Sequence, residues 1–359
     1  MSLDRRVSLV IPAKNSAGIL GRVLDAAMAL QNAGEISEIL VVDDGSTDKT
    51  AEVVARHPVR LLTTGGLGPG GARNVGWRAA RHDLVWFIDS DCVAPLGTAA
   101  RLVDELRDPS VGGAGGGYDN LVPDSLVGSL IHEEMELRAP SVTEDSSFLR
   151  GANMLFRRSV LEELGGFDEQ HYNAPGSPGA EDMEIGYRAI EAGHRLRFVP
   201  DSRVGHFHPT RFLRYLRTQR HHGYWRVWLY ARHRGWVGGD SYSGLLDHLQ
   251  PPWALLTLAS LPLGLVPGAW PIPLLCLAAL MAMQVPVTRG LLRRTRRARY
   301  GVFVPFGAIR AFARALGMSW GVASVLVWLV RGGRPDRMDG AEQDAGTEAL
   351  ERPSGIATR

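Results

Sequence analysis

Short apolar runs alternate with helical patterns in the N-terminal part of this chain. Four runs rich in Val, Ile and Leu lie at residues 7–11, 39–42, 59–62 and 84–88. Segments with helical character separate them, at residues 19–30, 47–55 and 72–81. Ser46 or Thr47 is the expected N-cap of the second helix. Continuous apolar strands separated by helices predict a parallel sheet that is covered on both faces.

Acidic residues directly follow two of these strands. Asp43 and Asp44 end the second strand, and Asp89 and Asp91 follow the fourth. Ligands of such sheets bind at the carboxyl ends of the strands, so this placement predicts a site. Asp43 or Asp44 could accept a hydrogen bond from a ribose hydroxyl or a base N–H. Asp89 and Asp91, two apart in an extended segment, can face one Mg²⁺ or Mn²⁺ ion that bridges a diphosphate, or they form a solvated turn.

Five glycines lie between the third strand and the third helix, within residues 64–74. Glycines allow backbone N–H groups to approach an anion, and a helix N-terminus favours negative charge. Arg73 adds a fixed cation suited to phosphate. The segment is therefore either a phosphate-binding turn or a flexible loop.

The same segment also matches the dinucleotide-binding fingerprint through Gly66, Gly68 and Gly71, with Asp89 ending a strand about 20 residues later. A Rossmann-type NAD(P)-dependent oxidoreductase with a membrane anchor is thus an alternative. Two βα units precede this match, whereas the fingerprint normally marks the first strand of its fold. The oxidoreductase hypothesis also leaves Asp91 and the second half of the chain unexplained.

Two further groups of polar residues lie in the second half of the chain. Glu181 and Asp182 open a predicted helix after a Gly- and Pro-rich loop at residues 173–179. The helix dipole stabilises acids at this position, and one of them could equally serve as a general base. His206 and His208 lie on one side of an extended segment, where a neutral imidazole could complete the coordination of an ion at Asp91.

Seven short motifs occur in the order found in family 2 glycosyltransferases, and together they cover residues 7 to about 210. They lie at residues 11–15, 42–46, 72–76, 89–91, 151–154, 165–169 and 181–184. The chain therefore resembles that family, whose members share the GT-A nucleotide-sugar fold. The resemblance implies an inverting transfer of a sugar from a nucleotide-diphosphate donor, with a divalent metal as cofactor.

The resemblance also implies roles for individual residues. Asp44 would hold the nucleoside, in a pocket lined by Pro12 and Asn15. Arg73 would meet the nucleotide or its diphosphate, and Asp89 would face the ribose or the ion. The remaining assignments concern the metal and the acceptor. Asp91 would bind the metal with His206 or His208, Asp182 would deprotonate the acceptor hydroxyl, and Glu181 would shape the site.

One motif of the processive membrane synthases in that family is absent at the expected spacing. Those enzymes carry Gln-x-x-Arg-Trp after the base, whereas residues 219–225 read Gln-Arg-His-His-Gly-Tyr-Trp. We therefore expect the addition of one or few sugars, to a hydroxyl or a lipid phosphate, in envelope glycan or glycolipid synthesis. A catalytically inactive GT-A membrane scaffold is a further alternative, although Asp91 and Asp182 are both present.

Charge is strongly segregated in the C-terminal third. Residues 253–287 contain no Asp, Glu, Lys, Arg or His, and Pro262, Pro267, Pro271 and Pro273 interrupt this run. A helical hairpin, about 253–269 and 272–287, fits better than one straight helix, and residues 315–330 form another uncharged stretch. Arginines flank the hairpin on both sides, which predicts that both ends face the cytoplasm and anionic lipid. We expect attachment to the cytoplasmic membrane, with buried helices of a soluble domain as the alternative.

Composition bounds the remaining possibilities. Lys and Arg total 40 against 38 Asp and Glu in 359 residues, so a nucleic-acid partner is not expected. Two distant cysteines exclude a disulfide framework. We predict a catalytic GT-A domain at 1–235, with a nucleotide-binding half (1–100) and an acceptor half (101–235). A membrane-associated helical region (236–331) and a disordered tail (332–359) would follow.

Overall fold

A computed structural model describes residues 5–140, 143–169, 179–237 and 244–333. Two segments singled out in the sequence fall largely outside this part of the chain. Of the loop at 173–179 only Gly179 is described, and of the tail at 332–359 only Gly332 and Gly333 are described.

The first four strands form a parallel sheet in the order β3-β2-β1-β4, which confirms the prediction for this region. These strands are β1 (Val7–Ala13), β2 (Glu38–Asp43), β3 (Arg60–Thr63) and β4 (Leu84–Phe87). The connecting helices are α1 (Leu20–Asn32), α2 (Thr50–Val54) and α3 (Gly68–Ala79). Because chain order reverses between β1 and β4, their carboxyl ends flank a crevice of the kind in which α/β folds bind ligands.

Two helix starts differ from the sequence-based expectation. Neither Ser46 nor Thr47 caps α2, since this helix begins only at Thr50, whose N–H donates to Asp48 Oδ1 at 3.0 Å. Helix α3 begins at Gly68, inside the glycine-rich segment that we expected to be a turn or loop. The predicted Ser46/Thr47 cap is therefore wrong, and the glycine-rich segment forms the first turn of a helix.

The second half of the catalytic unit extends the same sheet. Its strands are β5 (Cys92–Val93), β6 (Val111–Asn120), β7 (Glu144–Asp145), β8 (Met154–Arg157) and β9 (Arg195–His206). Its helices are α4 (Thr98–Glu105), α5 (Leu126–Arg138), α6 (Arg158–Glu163) and α7 (Glu181–Glu191). The order continues as β4-β8-β6-β9-β5, with β8 antiparallel to both neighbours and β6 parallel to β9. The two predicted halves thus share one sheet flanked by helices, in agreement with the predicted GT-A class.

Strand β6 is built largely from glycine, and its neighbours approach its backbone closely. A Cβ atom at Gly116 would lie 1.8 Å from the Ser202 carbonyl oxygen, and one at Gly113 would lie 2.9 Å from the Leu155 carbonyl oxygen. Glycine in a strand interior often marks such a close approach. The absence of side chains here lets β8 and β9 pack tightly on both sides of β6.

Apolar side chains cover both faces of the sheet. Leu9 and Trp86 belong to the buried cluster on one face, and Val10 and Phe87 belong to the cluster on the other. The side chains of consecutive strand residues therefore point in opposite directions into two cores. Each fully buried large apolar side chain contributes roughly 1.5–3 kcal/mol, so these cores hold the strand ends in place.

Five helices follow the catalytic sheet. They are α8 (Phe212–Arg232), α9 (Leu245–Ser260), α10 (Pro271–Ala282), α11 (Val285–Thr295) and α12 (Phe303–Val330), with 3₁₀ turns at Arg234–Trp236, Leu261–Leu265 and Ala298–Val302. Helices α8 and α12 pack closely, since a Cβ atom at Gly317 would lie 1.8 Å from the Arg220 carbonyl oxygen. Helix α9 packs against α10, and the Trp253 indole donates to the Cys276 carbonyl at 2.9 Å.

Two segments of the described chain are long and apolar enough to cross a membrane, Pro271–Thr295 and Ala298–Val330. The first arm of the predicted hairpin differs from expectation, because α9 ends at Ser260 and a 3₁₀ turn containing Pro262 follows. Large apolar side chains remain exposed on this region, including Leu265 at 91% and Val330 at 88%. An exposed apolar surface of this kind is typical of a membrane-contacting region.

Candidate active site

Asp44 lies at the end of β2 and holds the start of α3. Its carboxylate accepts hydrogen bonds from Leu67 N at 2.6 Å, Gly68 N at 2.9 Å and Thr64 Oγ1 at 2.5 Å. Lys14 Nζ lies 3.4 Å from the second oxygen. The anion at this helix N-terminus is therefore an aspartate of the chain itself. The Asp44 carboxylate thus lies at the helix N-terminus where a dinucleotide-binding fingerprint would bind a pyrophosphate.

Pro12 and Asn15 lie at the neighbouring end of β1. Pro12 is half-buried, and Asn15 adopts a left-handed backbone conformation with φ of 51°. The Asn15 side chain accepts from Thr47 N at 2.8 Å, while its own N–H donates to Ser46 Oγ at 2.9 Å. Asn15 thus ties the end of β1 to the turn after β2.

Asp91 and His206 come together where β5 pairs with the end of β9. Cys92 is in register with His206, and Asp91 Oδ1 lies 3.5 Å from His206 Nε2. Burial alone would raise the pKa of Asp91, but the contact with His206 lowers it below its usual value. Burial would likewise lower the pKa of His206, and the Asp91 contact raises it. Each side chain therefore stabilises the charged form of the other when no metal is bound.

These residues fit a divalent metal ion. The ligand atoms of Asp91, Cys92 and His206 lie within 4.8 Å of one another. Burial, with Asp91 and Asp89 nearby, raises the pKa of the Cys92 thiol, so this side chain is a weak ligand when it is protonated. The remaining donors are carboxylate oxygen and imidazole nitrogen, which suit Mn²⁺.

His208 lies directly behind His206. The two Nδ1 atoms are 2.8 Å apart, and His208 Nε2 lies 3.3 Å from His132 Nδ1. Burial, with His206 and His132 nearby, lowers the pKa of His208 to about 3. His208 is thus a neutral ring that orients His206, and the sequence analysis missed its partner His132.

Arg73 connects the acids of the two halves. It donates through Nη1 to Glu181 Oε1 at 2.6 Å and through Nη2 to Asp89 Oδ1 at 2.8 Å, and its side chain is 4% exposed. Burial raises the pKa values of Asp89 and Glu181, and Arg73 opposes this effect. The guanidinium that we expected near the diphosphate is thus directed at two carboxylates.

Asp182 lies beside Glu181 in the first turn of α7. Its Oδ2 accepts from Gly151 N at 3.0 Å, and its Oδ1 accepts from Met183 N at 2.8 Å. A Cβ atom at Gly151 would lie 2.9 Å from Arg73 Nη2, so glycine allows this close approach. Ile185 is fully buried and anchors the helix that presents the two acids.

One cavity of about 530 Å³ gathers most of the predicted site residues. Those that line it are Arg73, Asp89, Asp91, Glu181, Asp182, His206 and His208. Pro12, Asn15 and Asp44 lie at adjacent strand ends and do not line it. The Ser16 hydroxyl, 2.7 Å from the Ser90 hydroxyl, links the β1 loop to the segment that carries Asp89 and Asp91.

The cavity continues into a part that the sequence analysis did not predict. Helices α5, α8, α9 and α12 supply its charged residues there, namely Glu134, Arg138, Arg214, Arg226, Asp247, Arg310 and Arg314. Burial would raise the pKa of Glu134, but Arg310 and Arg138 lower it. Arg310 and Arg314, four residues apart in an otherwise apolar helix, were the available signal, because ionisable residues in such helices are commonly functional.

The sheet order and the flanking helices match the GT-A fold that the sequence predicted. Residues 8–165 match the model of glycosyl transferase family 2. This match agrees with the resemblance to family 2 glycosyltransferases that the sequence motifs predicted. The comparisons give no support to the oxidoreductase alternative.

Named relatives are also glycosyltransferases. The pre-mycofactocin glycosyltransferase of Mycobacterium tuberculosis is 30% identical over 240 residues, which cover 64% of this chain and 48% of that protein. The O-antigen chain rhamnosyltransferase of Salmonella typhimurium is 25% identical over 266 residues, covering 68% and 81%. The chain spans about half the length of several of the curated relatives it matches.

A solved structure supports the fold over most of the chain. The mannosyltransferase PcManGT from Pyrobaculum calidifontis, in complex with GDP-Man and Mn²⁺, superimposes with a TM-score of 0.56 at 24% identity. The match covers 88% of this chain and 87% of that one. The likeness therefore extends beyond the catalytic sheet into the C-terminal helices.

Proposed function

We propose that this protein is a membrane-attached, metal-dependent glycosyltransferase that moves a sugar from a nucleotide-diphosphate donor with inversion. The observation that carries the proposal is the single cavity that joins Asp91 and His206 to Asp182. Displacement at an anomeric carbon needs a base on one face and neutralisation of the leaving group on the other. The cavity has candidates for both tasks.

Asp91 and His206 would hold the divalent ion, Mn²⁺ or Mg²⁺. A bound cation would neutralise the charge of the leaving diphosphate. The mannosyltransferase named above was solved with GDP-Man and Mn²⁺, which supports this choice of cofactor and donor class. The strand ends at Pro12, Asn15 and Asp44 would hold the nucleoside, with Asp44 acting through the α3 backbone that it fixes.

Asp182 would remove the proton from the acceptor hydroxyl. Its carboxylate already accepts from Gly151 N and Met183 N, which fixes its direction without neutralising its charge. Glu181 would shape the site by holding Arg73, and Arg73 would hold Asp89 in turn. Glu181 would therefore position Asp89 indirectly, through Arg73.

The acceptor would be a hydroxyl or a lipid phosphate, and the product a cell-envelope glycan or glycolipid. Exposed apolar side chains on α9 to α12 support attachment to the cytoplasmic membrane. Arg294 of α11 contacts Glu133 of α5 at 3.1 Å, so the basic end of α11 lies on the side of the catalytic sheet. Basic residues favour the cytoplasmic side. We further propose addition of one or few sugars rather than a polymer.

Thermal unfolding of the detergent-solubilised full chain tests this function. A ligand that binds only the native state raises its apparent stability. A shift with one nucleoside diphosphate or its sugar, dependent on Mn²⁺, is expected. A shift with NAD or NADP alone would overturn the proposal. A chain that binds donor nucleotide yet transfers no sugar to any envelope-lipid acceptor would instead indicate an inactive scaffold.

A further inference from the structure

The cavity that begins at the catalytic acids ends among arginines that have no role in the proposed transfer. We call this part the arginine chamber. It is lined by Arg138, Arg214, Arg226, Arg310 and Arg314. Two carboxylates, Glu134 and Asp247, line the same part. Among the described residues, five guanidinium groups and two carboxylates thus line this part of the cavity.

Both carboxylates are already engaged by two of the arginines. Asp247 accepts two hydrogen bonds from Arg138, at 2.6 and 2.9 Å. Glu134 accepts from Arg138 at 3.0 Å and from Arg310. These two carboxylates therefore balance the charges of Arg138 and Arg310, and neither of them contacts Arg314.

Arg314 and Arg310 carry the argument for a ligand. Arg314 donates Nε to the amide oxygen of Gln219 at 2.7 Å, and no carboxylate of the described residues lies within ion-pair distance of it. Arg310 is 1% exposed, and its Nε and Nη2 atoms find no hydrogen-bond acceptor among the described residues. Buried guanidinium donors without acceptors are costly unless an anion completes the site.

Phosphate is the anion that this geometry favours. A guanidinium group presents a planar fork of donors that binds phosphate through two hydrogen bonds.

The chamber lies where the catalytic unit meets the apolar helices. Met318 lines it one turn after Arg314, while Leu316 and Trp320 on the same helix are 55% and 69% exposed. On α9, Pro251 lines the chamber and Leu256 is 49% exposed. A head group in the chamber would therefore have its chain beside the membrane-facing surface.

The chamber and the catalytic acids line one cavity. His132, which contacts His208, and Arg138 of the chamber lie on the same helix, α5. We infer that the arginine chamber binds the phosphate of a membrane-anchored acceptor while its reacting group lies near Asp182. This inference rests on the proposed function.

The test uses the full chain in neutral detergent micelles, with hexadecyl phosphate as probe and hexadecanol as its uncharged match. Thermal unfolding gives the probe concentration for half of the maximal stabilisation. Hexadecyl phosphate is expected to stabilise the protein, and hexadecanol is not. Arg314→Gln should raise the required concentration about tenfold, and Arg314→Lys should raise it less.

The matched control is Arg217→Gln, an exposed arginine of α8 that does not line the cavity, and it should behave as the parent. Arg226→Gln is the second variant if Arg314→Gln does not fold. If glycerol 3-phosphate stabilises the protein as much as hexadecyl phosphate does, and through the same arginines, the claim that the ligand is membrane-anchored is overturned. Stabilisation by donor nucleotide but by no phosphate would overturn the whole inference. Stabilisation by hexadecyl phosphate but by no nucleotide would support the chamber and overturn the proposed function.

Discussion

Arg73 donates Nη1 to Glu181 Oε1 at 2.6 Å, across 108 residues of sequence. The same guanidinium group donates to Asp89, so one buried side chain spans the end of β4 and the start of α7. The two acids belong to the predicted donor and acceptor halves. Their relative position is therefore set by a single cation.

Arg73→Gln should lower the free energy of unfolding by about 3–5 kcal/mol, because it leaves the buried carboxylate of Glu181, and the partly exposed carboxylate of Asp89, without their cation. Arg78→Gln is the matched control on α3, since Arg78 is 53% exposed and pairs only with Glu169. It should cost less than about 1 kcal/mol. Chemical denaturation of both variants measures the difference, and equal stabilities would contradict the assigned role.

Asp182→Asn should lower the transfer rate by at least about 100-fold, because an amide cannot take the acceptor proton. Donor binding should stay nearly unchanged, since the substitution preserves size and one acceptor oxygen. The rate of sugar transfer and the donor-induced shift in Tm are the two readouts. Asp201→Asn, an exposed aspartate, is the control. Retention of most activity by Asp182→Asn would refute the assignment of the base.

Asp91→Ala and His206→Ala should each raise the Mn²⁺ concentration for half-maximal activity by more than about 100-fold. His208→Ala should raise it by about tenfold, because residues that orient a ligand usually have the smaller effect. The ring of His208 faces His206 and His132, whereas His206 faces Asp91. Metal titrations of the three variants decide between the two histidines. A larger effect of His208→Ala would reverse their roles.

Acidification should destabilise the protein through Glu184. Burial alone would raise its pKa, but Arg188, His233 and Arg232 lower it below its ordinary 4.5. The stabilisation is thus present above pH 4.5 and is lost as the pH falls below it. In Glu184→Gln, Tm should decrease less as the pH falls through this range. In Glu162→Gln, a substitution of an exposed residue, Tm should decrease as much as in the parent. Parallel curves for Glu184→Gln and the parent would contradict this role.

Gly317→Ala should separate α12 from α8, because the added Cβ would lie 1.8 Å from the Arg220 carbonyl oxygen. We expect a loss of about 1–3 kcal/mol in the free energy of unfolding. Gly301→Ala is the control, since no atom lies within 4 Å of a Cβ at that position. Comparison of Tm values in one detergent measures the effect. A stable Gly317→Ala protein would show that the two helices can shift without cost.

The first four strands could be predicted because continuous apolar runs of this length are typical of strands that are buried on both faces of a sheet. The strand-end placement of Asp89 and Asp91 followed from the same reasoning, since parallel strands end at a common edge. The helix that carries Glu181 and Asp182 was also predictable from the spacing of Ile185 and its apolar neighbours. Periodicity in the sequence is sufficient for features of this kind.

Side-chain partners distant in sequence could not be predicted in this way. Nothing near Arg73 indicates that its donors face Glu181, and nothing near Asp44 indicates that its carboxylate holds the start of α3. Both residues bind chain atoms where we expected substrate atoms. The pairing of Glu134 with Arg310 likewise depends on packing between elements 176 residues apart.

The glycine-built strand β6 has a consequence for how this protein can vary. A side chain at Gly113 or Gly116 would meet a neighbouring backbone oxygen at less than 3 Å, and backbone cannot move aside as a flexible side chain can. Random mutagenesis should therefore find few tolerated substitutions at these positions in the middle of the catalytic sheet. In a library selected only for expression, these positions should tolerate fewer replacements than exposed Gly18 or Gly65.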